Sequence, residues 1–413
     1  MKNELNDYVI RVLDSPDAVP AAEWNDLLAA QAGATPFMRH DYLAALHHSG
    51  SASPSTGWTP CFVLLERSGQ LVGVCALYLK SHSYGEYVFD HAWANAYQQN
   101  GLSYYPKALV AVPFTPVPGA RLLARNAADR AVLAQALIQW CTAEKLSSLH
   151  LLFTNADDLV ACEAAGMMLR HTVQFHWTNT APIYPDFEAF LASLAQEKRK
   201  KIRQERRKVV DAGVTFRAVL GTAITPEDWA FFYRCYERTY LEHGNAPYLS
   251  PTFFEEMART MPENWLLFIA ERQGQPMAAS LIAIGESNTA SAEAEGQGKK
   301  EKVAYGRYWG ALERVDCLHF EACYYQPLAW CIAQGYQRFE GGAQGEHKMA
   351  RALLPVKTSS AHWLAHPSFA DAVERFLERE GQGIGQYLDD LGQRSPFKNA
   401  ALPAGSHAVP DAL

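Results

Sequence analysis

Between Arg338 and Trp363 the chain reads RFEGGAQGEHKMARALLPVKTSSAHW, and no other window holds so much ionisable chemistry behind an apolar lead-in. Phe339 and Glu340 run into a Gly341-Gly342 pair, and Gln344, Gly345, Glu346, His347 and Lys348 follow. Glycine lets backbone approach a ligand closely and tolerates positive φ. Glu346, His347 and Lys348 set a carboxylate, an imidazole and an ammonium side by side. Those groups supply a base, an acid and a fixed cation for a proton-coupled reaction. Ser359, Ser360 and His362 add polar groups ahead of Trp363. Glu340 ends the strand-like entry, either as a site carboxylate or as the partner of a cation such as Arg351. The competing reading of the whole window is a solvated strand exit.

The elements that would position such groups can be read along the chain. Tyr8 to Leu13 reads as an edge strand, and Pro20 to Ala30 and Asp41 to His48 as helices. Cys61 to Leu65 and Leu71 to Lys80 form a hairpin around Ser68-Gly69. His91 to Leu123 is aromatic and polar, with Trp93, Tyr97, Tyr104, Tyr105 and Lys107. Its Pro113, Pro116 and Pro118 argue against a central strand or a helix there. This stretch is either a wall of a site or a surface loop with its own small core. Asp90, Trp93, Tyr97, Tyr105 and Lys107 are its candidate ligand contacts. Helical spacing recurs over 127–145 and 159–166, with strands at 149–153 and 175–178.

Phe187 to Ala212 is expected to form one long helix closed by Gly213. Its second half carries Lys198, Arg199, Lys200, Lys201, Arg203, Arg206, Arg207 and Lys208. Such a run repels itself, and a polyanion would relieve the repulsion. Transfer RNA, a nucleotide-linked precursor and anionic lipid all fit, as does a plain basic surface. Further on, two helices, a hairpin around Gln273-Gly274 and a strand over 303–310 are expected. The polar segment Glu286 to Lys302 reads as a loop between strands. Arg307 on the YGRYWG strand would bind an anion or form a structural salt bridge. Glu321, Tyr324 and Tyr325 open a helix over 321–335, and Gln344, Tyr325 and His362 complete the candidate substrate contacts. A last helix spans 368–382, with a disordered tail over 391–413.

The composition is that of a globular protein of two or three domains: 413 residues, 48% hydrophobic, 20% charged, net charge -7. Any polyanion site must therefore be local. The 8 cysteines show no CxxC pair and read as buried thiols in a reducing compartment. Cys317, His319, Cys323 and His347 fit no common zinc spacing, and no metal site is expected. MKNELNDYVI lacks the marks of a secretory signal, and no apolar run is long enough to span a membrane. A cytoplasmic protein is expected.

The two halves repeat each other. Trp58-TPCFVLL-Glu66-Arg67-Ser68-Gly69-Gln70 resembles Trp265-LLFIA-Glu271-Arg272-Gln273-Gly274-Gln275. Tyr84-Gly85-Glu86-Tyr87 matches Tyr305-Gly306-Arg307-Tyr308, and Trp140-Cys141 matches Trp330-Cys331. Each half reads helices, hairpin, strand, helix, strand, helix, which is a duplicated domain with a mixed sheet.

That order resembles the Gcn5-related N-acyltransferase (GNAT) fold, and a tandem pair resembles the Fem-type aminoacyl-ligases of peptidoglycan synthesis. The run LAQEKRKKIRQERRKVVDAGV is similar to the basic helix and Gly-Val strand entry of Fem-like second domains. FDHAWANAY, YYPK, PFTPVPG, YGRYWG, HFEACYYQ and EGGAQGEHK resemble the Fem-like family of peptidoglycan biosynthesis/recognition, over residues 8–390. The resemblance implies an α/β (α+β) fold of tandem GNAT-like domains, each a mixed, mostly antiparallel sheet flanked by helices. It implies a first domain over 1–182 on the acceptor side and a second over 183–390 bearing the active site. It implies acyl or aminoacyl transfer to an amine of a cell-wall precursor or other small molecule, with aminoacyl-tRNA or acyl-coenzyme A as donor. Transfer RNA would meet Lys198, Arg199, Lys201, Arg203 and Arg206. Glu346, His347, Lys348 and Glu340 would carry the chemistry. The glycine-free ALERVDCLHF before Glu321 argues against coenzyme A, because the pyrophosphate cradle of that branch is glycine-rich. A binding protein that keeps the fold without catalysis is the alternative.

Overall fold

The computed structural model describes residues 7–179, 183–289, 300–342 and 345–398. Thirteen strands form one sheet: β1 (Tyr8–Leu13), β2 (Trp58–Arg67), β3 (Gln70–Lys80), β4 (Lys107–Val110), β5 (Leu123–Ala124), β6 (Ser148–Leu151), β7 (Met168–Thr178), β8 (Val214–Leu220), β9 (Trp265–Arg272), β10 (Gln275–Asn288), β11 (Lys300–Ala311), β12 (Arg338–Glu340) and β13 (Leu354–Leu364). The order is β1-β2-β3-β4-β6-β13-β7-β12-β11-β10-β9-β8, with β5 beside β3. Read inward from its two ends, this order is the same in each half, apart from an exchange at the centre. β13 of the second half pairs with β6 of the first, and β7 of the first half pairs with β12 of the second. β7 and β13 then pair antiparallel from Leu354↔His176 to His362↔Met168. The duplicated, mixed and mostly antiparallel sheet expected from sequence is therefore present, and each half lends the other its last strand.

The first half carries α1 (Ala21–Ala29), α2 (His40–His48), α3 (His91–Gln99), α4 (Ala127–Ala143) and α5 (Ala156–Ala164). The second carries α6 (Phe187–Ser193), α7 (Gln196–Asp211), α8 (Pro226–Glu242), α9 (Pro251–Thr260), α10 (Leu318–Phe320), α11 (Gln326–Ala333) and α12 (Pro367–Gly392). A π-turn over Glu321–Tyr325 joins α10 to α11, and Glu346–Arg351 is a 3-10 segment. α8 lies so close to β11 that a Cβ on Gly310 would sit 1.8 Å from the Cys235 carbonyl oxygen, so only glycine fits there. One aromatic core spans both halves. Tyr42 meets Phe253 at 5.4 Å, Phe37 meets Tyr305 at 5.3 Å, and Phe114 stacks on Tyr248 at 4.7 Å.

Four expectations need correction. The 91–123 stretch holds both a helix, α3, and a central strand, β4, which sits between β3 and β6. The prolines lie beyond β4 and end it, so they exclude strand only where they stand. The helix over 187–212 is two helices, broken at Leu194 and Ala195, which are extended. The break is filled from the chain's other end: the Ala195 N–H donates to the Pro396 carbonyl at 2.9 Å, and the Lys398 N–H to the Ser193 carbonyl at 3.0 Å. Residues 391–398 are thus packed where a tail was expected, with Leu391 fully buried; the rest of that tail, from 399, lies outside the described residues. Both ends of the expected 286–302 loop are strand, and its middle, 290–299, lies outside the described residues.

Candidate active site

β11 and β12 run parallel for three residue pairs, Val303↔Arg338 to Tyr305↔Glu340, and then separate. Beyond that point β12 turns through Gly341 and Gly342, the latter at φ 83°. A Cβ on Gly341 would meet Leu353 Cδ2 at 2.5 Å and would have to displace that side chain, while Gly342 holds the positive φ that favours glycine. β11 continues with a bulge: Ile282 pairs with Gly306 and Leu281 with Tyr308, which leaves Arg307 as the extra residue. Bulges re-aim a side chain, and they recur beside functional sites.

Glu340 stands at this divergence. Its carboxyl is buried, 3.2 Å from Arg338 Nε and 3.8 Å from His176 Nε2 of the neighbouring β7. Oε2 is sealed from solvent and has no hydrogen-bond partner among the described residues. Burial pushes the carboxyl up to about 7, against the pull of Arg338 and then of Arg307. His176 is driven the other way, to about 3, by burial first and then by Arg338 and Lys348. It is neutral at pH 7, and Nε2 lies 3.2 Å from Gln174 Oε1, an acceptor, which sets its proton on Nε2.

The consecutive triplet does not converge. On the 3-10 segment its three side chains part. Glu346 is exposed and accepts from Tyr387 Oη at 2.7 Å and Arg394 Nη1 at 3.4 Å, both at the far end of the chain. His347 is exposed, 3.3 Å from the Tyr324 hydroxyl, with its pKa lowered by burial and by Lys348. Lys348 alone turns inward: it is 3% exposed and donates to the Gly342 carbonyl at 2.9 Å, and burial lowers its ammonium to about 8. Tyr325 is buried, with its hydroxyl donated to Glu205 of α7. Arg351 donates to the same Glu205 at 2.9 Å, so it does not pair with Glu340. Gln344 lies outside the described residues.

The first-half candidates do gather, in a second buried cluster. Lys107 Nζ donates to Ser83 Oγ at 2.9 Å, to Glu86 Oε2 at 2.8 Å and to Asp90 Oδ2. Tyr104 donates to Asp90 at 2.7 Å and lies 3.1 Å from His150 Nε2. His150 and His362 face each other through Nδ1 at 2.8 Å, and His362 Nε2 reaches Ser360 Oγ at 2.8 Å. Tyr105 bonds Ser83, Trp93 meets His362 edge-on at 5.1 Å, and Tyr97 packs at 4.2 Å against the tilted ring of Phe369. Burial drives His150 to about 3 and His362 well below its ordinary value. Burial alone would raise Asp90, but Lys107 and then His150 hold it well below the usual range; Glu86 is pushed up to about 7 by burial. Glu86, Tyr104, His150 and His176 were not among the candidate site residues expected from the sequence. His150 and His176 enter through long-range strand pairings on β6 and β7, which leave no local pattern, while Glu86 and Tyr104 come from loops on either side of α3.

On α7, Ile202, Glu205 and Val209 face inward. Arg203 pairs with Glu188 and Arg206 with Glu321, while Lys201 lies 4.0 Å from Glu205 and Lys208 3.7 Å from Asp316. Lys198, Arg199, Lys200 and Arg207 have no ion pair among the described residues. Among those residues, no helix is long and apolar enough to cross a membrane.

A profile of the FemAB-like family, described as peptidoglycan biosynthesis/recognition, matches residues 15–399. Among solved structures the chain is similar to FemX, at 11% identity over 86% of this chain and 98% of that one, with a TM-score of 0.51. It is similar to a conserved protein of unknown function from Bacteroides thetaiotaomicron VPI-5482, at 11% identity over 86% and 100%, with a TM-score of 0.50. A tandem GNAT protein from the clavulanic acid biosynthesis pathway aligns at 14% identity over 87% and 99%, with a TM-score of 0.45. No curated protein matches significantly. The chain belongs to the FemAB-like family and shares the fold of FemX.

Proposed function

We propose that this FemAB-like protein transfers an activated acyl or aminoacyl group onto an amine of a peptidoglycan-type precursor, with Glu340 as the proton acceptor. In this reading the reaction runs where β11 and β12 diverge, in the half over 183–390. The half over 1–182 forms the acceptor-side wall. The observation that carries it is the Glu340 carboxyl: buried, poised near neutral pH, with an oxygen that makes no hydrogen bond among the described residues. A base works best when its pKa lies near the operating pH.

The acceptor ammonium gives a proton to Glu340, and the freed amine attacks the activated carbonyl. A C–N bond forms and the bond to the leaving alcohol or thiol breaks, with a proton passing to that leaving atom. Lys348, mostly charged at pH 7, stabilises the oxyanion as it develops. Lys198, Arg199, Lys200 and Arg207 offer free cations to a polyanionic donor such as transfer RNA. The eight cysteines are all unpaired, which supports a cytoplasmic setting.

The test is transfer from a panel of aminoacyl-tRNA and acyl-coenzyme A donors to amine acceptors. Glu340→Gln should lower kcat/KM by about 100- to 10,000-fold. The wild-type pH profile should rise through about 7 as Glu340 ionises and fall through about 8 as Lys348 loses its proton. If no donor in the panel supports transfer while a cell-wall precursor binds, the recognition alternative replaces this reading.

A further inference from the structure

Among the described residues, Arg307 is a cation with no counter-ion. The bulge in β11 aims it away from the sheet toward the first half. Its Nη2 donates to the Phe114 carbonyl at 3.0 Å, to the Tyr308 hydroxyl at 3.0 Å and to Thr115 Oγ1 at 3.3 Å. Nε is sealed from solvent and has no hydrogen-bond partner among the described residues. No carboxylate forms an ion pair with the guanidinium among the described residues, so the structural salt bridge that the sequence allowed is not there. Glu340 acts on it only through space.

What surrounds the guanidinium is phenolic. Tyr42 and Tyr87 of the first half and Tyr308 of the second lie close enough to act on its charge. Tyr42 reaches Thr115 at 3.2 Å, and Tyr240 bonds Tyr87. The cation sits 4.9 Å from the Tyr308 ring and 5.1 Å from that of Phe37. Two of the groups around it are held in costly backbone: Tyr87 at φ 63° and Phe114 at φ 57°. Non-glycine residues persist in that region when the surroundings force them, most often around a ligand.

We infer that Arg307, Tyr42, Tyr87 and Tyr308 form a receptor, between the two halves, for the carboxylate of an amino acid or peptide. The chemistry selects the ligand. Every polar side-chain group named here can donate a hydrogen bond, and the one thing missing is an anionic acceptor. A planar guanidinium fork matches a carboxylate, and a single half-buried cation balances a single negative charge, whereas a phosphate dianion would leave a charge unbalanced. The site extends the transfer reading to the class of substrate, yet it stands apart from that reading, because binding is measured without turnover.

The probes are N-acetylalanine, its neutral amide and inorganic phosphate, followed by saturation-transfer NMR on the full-length protein. N-Acetylalanine should bind in a saturable way and the amide should not. Arg307→Gln should weaken binding about tenfold or more, and Arg307→Lys should fall between, because an ammonium lacks the fork. Tyr308→Phe, a conservative change, should weaken it by a few fold and guards against a poorly folded Arg307 variant. Glu340→Gln should stop transfer while binding N-acetylalanine no more weakly than wild type, which separates failure of this site from failure of the chemistry. The inference is overturned if the amide binds as well as the acid, if phosphate binds and the acid does not, if none of the probes binds, or if the Arg307 variants bind like wild type.

Discussion

Where β4 and β6 part, the first half carries Leu151 and Leu152; where β11 and β12 part, the second carries Glu340. The same fold is thus closed by apolar packing in one half and left chemically open in the other. The polar groups of the first half sit elsewhere and are largely spent on one another: Lys107 makes three bonds, and Asp90, Tyr104, His150 and His362 link in series. Glu340, Lys348 and Arg307 instead keep weak or missing partners. Burial of titratable groups is common to both regions, and so does not mark a site. Glu86 Oε1 and Asp90 Oδ1 are orphaned like Glu340 Oε2, so it is the cations that separate the regions: Lys107 ion-pairs with both carboxylates of its cluster, whereas Lys348 and Arg307 form no ion pair among the described residues and keep their charge for a substrate.

The comparison can be broken from the first-half side. Lys107→Met leaves Glu86 and Asp90 buried without their cation, and should cost about 3–5 kcal/mol of stability in urea unfolding. A loss below about 1 kcal/mol would mean that the cluster is not what holds this region. Lys348→Met should act in the opposite sense: a fall in kcat of about 100-fold with the descending pH limb removed, and little change in unfolding. The buried histidines give a signed pH test. His150 titrates near 3 when folded and near 6.5 when unfolded, so its contribution is complete above pH 6.5 and is lost as pH falls toward 3. The stability gap between wild type and His150→Gln should therefore narrow between pH 6.5 and 4. The smallest effect is expected at Glu346, which the sequence ranked first. Held at the surface by Tyr387 and Arg394, Glu346→Gln should change transfer by less than about twofold and stability by about 0.5 kcal/mol or less.

The hairpin repeat was legible because it is local: Ser68-Gly69 and Gln273-Gly274 each close two neighbouring strands, and all four take positive φ. Asp90, Trp93, Tyr105 and Lys107 were legible as a group because they lie close in sequence on one aromatic stretch. β13 was not legible. Ser359, Ser360 and His362 read as polar site groups or as part of a solvated strand exit, yet they are strand residues buried against β6 and β7, from the other half of the chain. The break between α6 and α7 was hidden for the same reason, since it depends on Pro396. The triplet misled through geometry, because three consecutive side chains on a 3-10 turn must point in different directions.

The most direct test is Glu340→Gln, measured for transfer rate and for stability across pH 5 to 8. Wild type must ionise a buried carboxyl between about 4.5 and about 7, and this weakens the folded state as pH rises; glutamine carries no such cost. The account predicts a variant that loses transfer by 100-fold or more and gains stability relative to wild type as pH increases. A variant that transfers at the wild-type rate, or that is destabilised throughout this range, would contradict it.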